Sequence, residues 1–276
     1  MRDSFDVPTV REALSGASGA SMAPWAALDV HESVDSTNLE ALRRPQPWRV
    51  VVADHQSAGR GRLARQWQAP PRSSVAVSCV LPVPDAARPA LGWLPLLAGM
   101  AMRGALVDMA GLQAGLKWPN DVLVRERPGG PWAKIAGVLC QAVADTGPDG
   151  SLVVVGAGAN VDQGREELPV ASATSVRLAG GSLRREELVG GYLRRLADLH
   201  ARWSAGGASL AALRAAYRQV CVTVGQVVDV HQPGGVVSGG RALGVDDLGR
   251  LVVQTPEGPV AHAAGDVVHV RAGDRG

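Results

Sequence analysis

Lysine is nearly absent from this chain. Of 28 basic side chains only two are lysines, Lys117 and Lys134, and the other 26 are arginines. The two cations are not interchangeable where a compact charge must sit against a carboxylate or phosphate oxygen, so a chain built on arginine can keep lysine there for chemistry. Coding bias with two chance survivors explains the counts equally well, and the surrounding residues must decide. Cysteine is scarce too. Cys79, Cys140 and Cys221 are an odd number without CxxC spacing, each in an apolar run. That excludes a disulfide framework and reads as buried thiols in a reducing compartment. The six histidines have no ligand spacing, which excludes a zinc site. No apolar h-region opens the chain, and the longest apolar run, residues 91–102, is too short to span a bilayer. A cytoplasmic protein without membrane contact is expected. The formal net charge of +2 leaves no global bias toward nucleic acid, so any anion site is local.

What remains is globular material: 276 residues, 46% hydrophobic and 20% charged, enough for one main domain and a small one. Residues 1–30, rich in Ala, Ser, Gly and Pro, are expected to form a partly disordered extension with a short helix at 10–14. A main domain is expected over 31–219. Strands are predicted at 49–54, at 73–81 ending at Pro82, and at 115–118, 122–124, 134–144 and 151–156. A helix is predicted over 92–109, with Pro95 in its first turn. Another follows Ser182, its five arginines Arg184, Arg185, Arg194, Arg195 and Arg202 on a solvated face, and a third covers 210–218. Without a βαβ rhythm this is α+β, a mixed or antiparallel sheet with helices on one side. Five short strands within 220–276 suggest a small SH3-like β-barrel.

The chemistry is written in short words. Ala58-Gly-Arg-Gly-Arg-Leu-Ala-Arg-Gln-Trp67 follows a strand and combines close-approach glycines with bidentate anion donors, as an anion cradle requires. It is neither a Walker loop nor a dinucleotide fingerprint. An exposed Arg/Gly turn would look the same by itself. Asp35-Ser-Thr-Asn38, Lys117-Trp-Pro-Asn-Asp-Val122, Lys134-Ile-Ala-Gly-Val138 and Gly156-Ala-Gly-Ala-Asn160 accompany it. Taken alone, the first of these is a helix N-cap.

In this order and spacing the words closely resemble those of biotin protein ligases, over about residues 30–270. The resemblance implies a class II synthetase-like catalytic domain and a two-step reaction. Biotin and ATP would give biotinyl-5′-AMP and pyrophosphate, and a lysine of a biotin carboxyl carrier domain would then take the biotin. It implies Lys134, Arg60, Arg62 and Asp121 as catalytic residues. Biotin would be held by Ser36, Thr37, Asn38, Gln56, Gly59, Arg60, Gly61, Arg62, Lys134, Gly137 and Gly158. ATP would be held by Arg62, Arg65, Trp67, Lys117, Asn120, Asp121 and Asn160, with Mg²⁺ on Asn120 and Asp121. Trp118 and Pro119 read as packing. Two departures stand out: the family loop usually has glycine where Ala64 stands, and the link 125–132 is longer than the usual hairpin. A lipoate or octanoate ligase would carry an Arg-Arg-x-Ser-Gly-Gly-Gly-like loop instead. A biotin-responsive repressor would need a basic helical N-terminal module, and Arg2 and Arg11 are offset there by Asp3, Asp6 and Glu12. The expectation is a ligase that binds no DNA, as a monomer or weak homodimer.

Overall fold

Strand alternation gives the larger sheet two different faces. β3 (Ser74–Val83) and β7 (Ser151–Asn160) pair antiparallel over their full ten residues, with Ser74 opposite Asn160 and Val83 opposite Ser151. Around this pair the order is β1-β2-β3-β7-β6-β5-β4, with β1 at Ala27–His31, β2 at Arg49–Ala53, β4 at Ala114–Lys117, β5 at Asp121–Arg125 and β6 at Trp132–Ala142. β1 and β2 are parallel and the other pairs antiparallel, so the sheet is mixed. The computed structural model describes residues 2–15, 24–144, 151–232, 235 and 237–270.

One face carries Val77, Cys79, Val138, Val155 and Ala157, all buried. It packs under α3 (Leu94–Ala110) and α4 (Arg185–Ala205), with α1 (Val7–Ser15) and α5 (Gly207–Val220) against α4. The other face presents Ser78, Val80, Val154, Gly156 and Gly158. Part of it is covered by α2 (Thr37–Arg43), where Ala41, Val51, Val80 and Val154 form a separate buried cluster. Helices therefore lie on both faces rather than one. The second face is left thin because glycine alternates there, and this is where the site forms.

Several expectations change. β1 had no sequence prediction, being only five residues long. β3 runs through Pro82, whose partner is Leu152 of β7, while its pairing with β2 stops at Cys79. The missing N–H thus falls where no second strand needs it. Residues 2–15 are not a loose extension: Phe5, Val10 and Leu14 join the main core and Arg2 bonds Asp162 and Glu167. Residues 16–23 lie outside the described residues. Arg185 is not on a solvated face but is buried, paired with buried Asp54 at 2.7 Å and stacked 4.0 Å over Phe5. A 3-10 run (Asp85–Trp93) leads into α3, and together they are long and apolar enough to cross a membrane; 61% of the most apolar window is buried inside the protein, as in a core helix.

A second sheet holds the antiparallel strands β8 (Val227–His231), β9 (Val237–Val245), β10 (Leu251–Thr255), β11 (Gly258–His262) and β12 (Asp266–His269), in the order β11-β10-β9-β8-β12. β11 and β12 are its edges, and no pairing among the described residues closes them into a barrel. Its β9–β10 turn docks on the larger unit: the indole N–H groups of Trp118 and Trp93 donate to the carbonyls of Gly249 (3.0 Å) and Asp247 (3.1 Å). Trp118 is packing, as read from the sequence.

Candidate active site

A cavity of about 140 Å³ opens over the glycine-bearing face of β6 and β7. Into it come Ser36, Thr37 and Asn38 from the start of α2, Gln56, the 60–67 loop, Asn120 and Asp121 at the start of β5, and Lys134, Gly137 and Gly158. Words scattered over 120 residues are thus brought together. Ser36 occupies the N-cap position of α2 with extended backbone, φ −157° and ψ 134°, yet its side chain makes no capping bond. The N-cap reading holds for its position only, and its hydroxyl stays available to the cavity.

Lys134 is aimed by a bulge. The β5–β6 register runs Asp121 opposite Gly137 and Val122 opposite Ala136, then shifts so that Leu123 faces Lys134. The extra residue, Ile135, leaves both Ile135 and Ala136 fully buried and turns Lys134 onto the face of Gly137. Bulges re-aim side chains in this way. The Lys134 backbone is held by the 172–174 segment, its N–H donating to Ser172 O and its carbonyl accepting from Thr174 N, both at 2.8 Å. Its ammonium lies 2.6 Å from Asp121 Oδ1.

The loop is closed by its own backbone. Trp67 N donates to Gly59 O at 2.9 Å, and a Cβ on Gly59 would come within 2.4 Å of Trp67 O, so this close approach requires glycine. The residue in left-handed conformation is Leu63 (φ 53°), next to Ala64. The Trp67 indole lies on the β7 floor, where a Cβ at Gly158 would meet it at 2.6 Å. Arg60 is exposed and makes no ion pair among the described residues. Burial pushes the Arg62 guanidinium below its usual range, against the attraction of Asp266 and Asp121. Arg65 pairs with Asp266 of β12.

Asp266 was missed by sequence reading: it lies some 130 residues from Lys134, in a strand with no motif. Gly156 was missed as a site residue although its alternation with Gly158 was visible. A Cβ there would fall 1.9 Å from Asn38 Oδ1. Three predicted residues do not line the cavity. Gly59 lines a neighbouring cavity of about 350 Å³ on the other side of the loop residues Arg60, Gly61 and Arg65. Asn160 donates to Thr174 O at 2.9 Å and accepts from Gln163 at 3.0 Å. Lys117, at the end of β4, faces Asp121, Lys134 and Asp266, and burial pushes its ammonium below the usual lysine range. Its charge reaches β12, where burial first and Lys117 second push His269 down to about 4.

A larger open cleft of about 1050 Å³ lies between Arg2, His31, His55 and Arg72. It gathers none of the predicted residues, and its carboxylates Asp54, Asp162 and Glu32 are already engaged by Arg185, Arg2 and Arg72.

Comparison with known proteins points the same way. Residues 30–160 match the model of the biotin/lipoate A/B protein ligase family, and residues 223–270 that of the biotin protein ligase C terminal domain. The chain is 35% identical over 279 residues to the biotin-acetyl-CoA-carboxylase ligase of Mycobacterium tuberculosis, covering 98% of both. It is 29% identical over 236 residues to the bifunctional ligase/repressor BirA of Bacillus subtilis, covering 83% of this chain and 69% of that protein. The solved biotin protein ligase from Aquifex aeolicus in complex with biotin and ATP matches with a TM-score of 0.74 at 25% identity, covering 90% of this chain and all of that one.

Proposed function

This chain belongs to the biotin protein ligase family, and from that premise we propose that its cavity joins biotin to ATP and passes the biotin to a lysine of a carboxylase carrier domain. One observation carries the assignment: a single cavity gathers Lys134, Arg62 and Asp121 beside a neutral slot of hydroxyls and amides floored by glycine. The ureido ring of biotin is neutral, with N–H donors and a carbonyl, and fits such a slot. The carboxylate end must point at the cations.

In the first step a biotin carboxylate oxygen attacks the α-phosphorus of ATP. The bond from phosphorus to the bridging oxygen breaks, and pyrophosphate leaves. Two anions must meet, so the barrier falls where fixed cations offset their repulsion and the charge growing on phosphorus. Lys134 sits nearest that meeting point, with Arg60 and Arg62 on the loop side. Lys117, Arg65 and Trp67 serve the nucleotide, and Asn160 contributes only once its two hydrogen bonds rearrange. In the second step the carrier amine attacks the acyl carbon, AMP leaves, and the amine gives up a proton. Asp121, released from Lys134 by the arriving anions, orients that amine.

Asn120 and Asp121 offer one amide oxygen and one carboxylate, and no cluster of three acidic, histidine or cysteine side chains exists among the described residues. That donor set fits a hard cation carried in on nucleotide phosphates rather than a cage of protein ligands. Asn120 and Asp121 would hold Mg²⁺, which when bound offsets charge on the phosphates. Asn120 is already oriented for this, its amide N–H donating to Val138 O at 2.8 Å and leaving its oxygen free to face outward.

The decisive experiment incubates the protein with biotin, radiolabelled ATP and a carrier domain. Labelled biotinyl-AMP followed by biotinylated carrier is expected, and pyrophosphate release without dependence on biotin overturns the reading. We also infer that the chain has no repressor role: α1 is packed on α4 and Arg2 is tied to two carboxylates, so neither is offered to phosphates. Sequence-dependent binding of an operator duplex in an anisotropy titration would contradict that.

A further inference from the structure

β6 carries Lys134 past the end of its pairing with β7. That pairing begins only at Ala136, and at Lys134 the same edge of the strand is taken by residues 172–174, with Ala173 as the parallel partner. Two backbone bonds of 2.8 Å, Lys134 N to Ser172 O and Thr174 N to Lys134 O, make this one-residue ladder. Residues 172–174 belong to no helix or longer strand. A ladder so short aims Lys134 only as well as its outer segment is itself held.

Glu126, the first residue after β5, supplies that hold from outside the cavity. Its Oε1 accepts from the Thr174 hydroxyl at 2.6 Å and from Arg165 Nη2, and Arg165 Nη1 donates to Ala173 O at 2.8 Å. One carboxylate oxygen thus pins residue 174 directly and residue 173 through the guanidinium. Thr174 is fully buried, so its hydroxyl has a strong, charge-assisted acceptor whose removal would leave it orphaned. The two donors, Thr174 first and Arg165 second, hold the Glu126 carboxyl below the usual carboxylate range. On its other side the segment is tied to β7, where the Asn160 amide donates to Thr174 O at 2.9 Å. If Asn160 turns to a nucleotide that tie is given up, and the Glu126 brace remains.

We propose that Glu126 is a positioning residue of the adenylation step: its carboxylate fixes residues 173 and 174, and these fix the backbone from which the Lys134 ammonium reaches the cavity. It touches no substrate and acts through Lys134. The inference rests on the reading of Lys134 as the cation that meets carboxylate and phosphate, and adds what keeps it in place. Misplacing a reacting group by about 1 Å costs on the order of 100-fold in rate.

The test uses the scarcity of lysine. With only two lysines in the chain, protein carrying carbon-13 at the lysine Cε gives two NMR signals, and the one lost in Lys134→Ala belongs to Lys134. Glu126→Ala is expected to shift that signal and to lower kcat for biotin-dependent pyrophosphate release about 10- to 100-fold, with KM for biotin little changed. Glu126→Gln, which keeps an acceptor for the Thr174 hydroxyl, restores most of both. Thr174→Val keeps the shape and removes the hydroxyl, and is expected to follow Glu126→Ala and to report the effect should that variant not fold. In a Lys134→Ala background Glu126→Ala costs no further rate, because its effect passes through the missing ammonium. An equal loss in that background, or an unmoved Lys134 signal, overturns the proposal. A wild-type protein without biotin-dependent pyrophosphate release, whose Lys134 signal still moves on Glu126→Ala, overturns the ligase reading and leaves Glu126 as the residue that places Lys134.

Discussion

Lys134 and Lys117 share a small electrostatic neighbourhood but are placed to do different work. Lys134 is partly exposed at the cavity, and its present partner, Asp121, is an anion that a substrate carboxylate or phosphate can replace. Lys134→Ala should keep the fold, since the bulge depends on backbone bonds to Ser172 and Thr174, and should lower adenylate formation roughly 100- to 1000-fold. Single-turnover pyrophosphate release measures this, and unchanged turnover removes Lys134 from the mechanism. Lys117 is half-buried, and its depressed ammonium gives a pH signature. The charge that holds phosphate is complete below the lowered pKa and disappears as pH rises through it. KM for ATP should therefore climb on the alkaline side at a pH lower than an exposed lysine would give, and Lys117→Gln should flatten that limb. An identical alkaline limb in the variant would assign it to another group.

At the scale of elements, the 59–67 loop and the N-terminal segment are opposites. The loop is closed on itself by its own backbone bonds, but it carries three arginines whose counter-charge is external, Asp266 on β12 or an incoming ligand. Amide exchange across 59–67 should slow when biotin and ATP are both present; equal protection in both states would show a preformed lid. The N-terminal segment is instead bound through the core. Asp54 accepts from the Phe5 N–H and from Arg185, and Arg185 also donates to Asp3 O. Arg185→Ala leaves Asp54 buried without its cation and should destabilise the protein by about 3–5 kcal/mol in chemical denaturation. A loss below about 1 kcal/mol would mean that water replaces the guanidinium.

Across the whole molecule the two sheets meet at the site. The β9–β10 turn is anchored on the Trp93 and Trp118 indoles, and β12 then brings Asp266 to Arg65, near Arg62 and Lys117. The second sheet thus contributes a carboxylate to a cavity built on the first. Asp266→Asn should release the arginine loop, read as faster tryptic cleavage at Arg62 and Arg65 in the ligand-free protein. Unaltered cleavage would mean that the second sheet does not restrain the loop.

Much of this was legible along the chain because local chemistry is local in sequence. Glycine beside arginine marks an anion loop, Asp-Ser-Thr-Asn marks a helix start, and apolar alternation marks β3 and β7, wherever they end up. The direction of Lys134 was not legible, since a one-residue bulge reverses which face a strand residue takes and leaves no compositional trace. Nor was the burial of Arg185, whose partners Asp54 and Phe5 are more than 100 residues away. Asp266 carries no motif at all. It acquires its role only from the arginine loop that folding sets beside it, because the charge it supplies acts over a few ångströms in space and not over any distance in sequence.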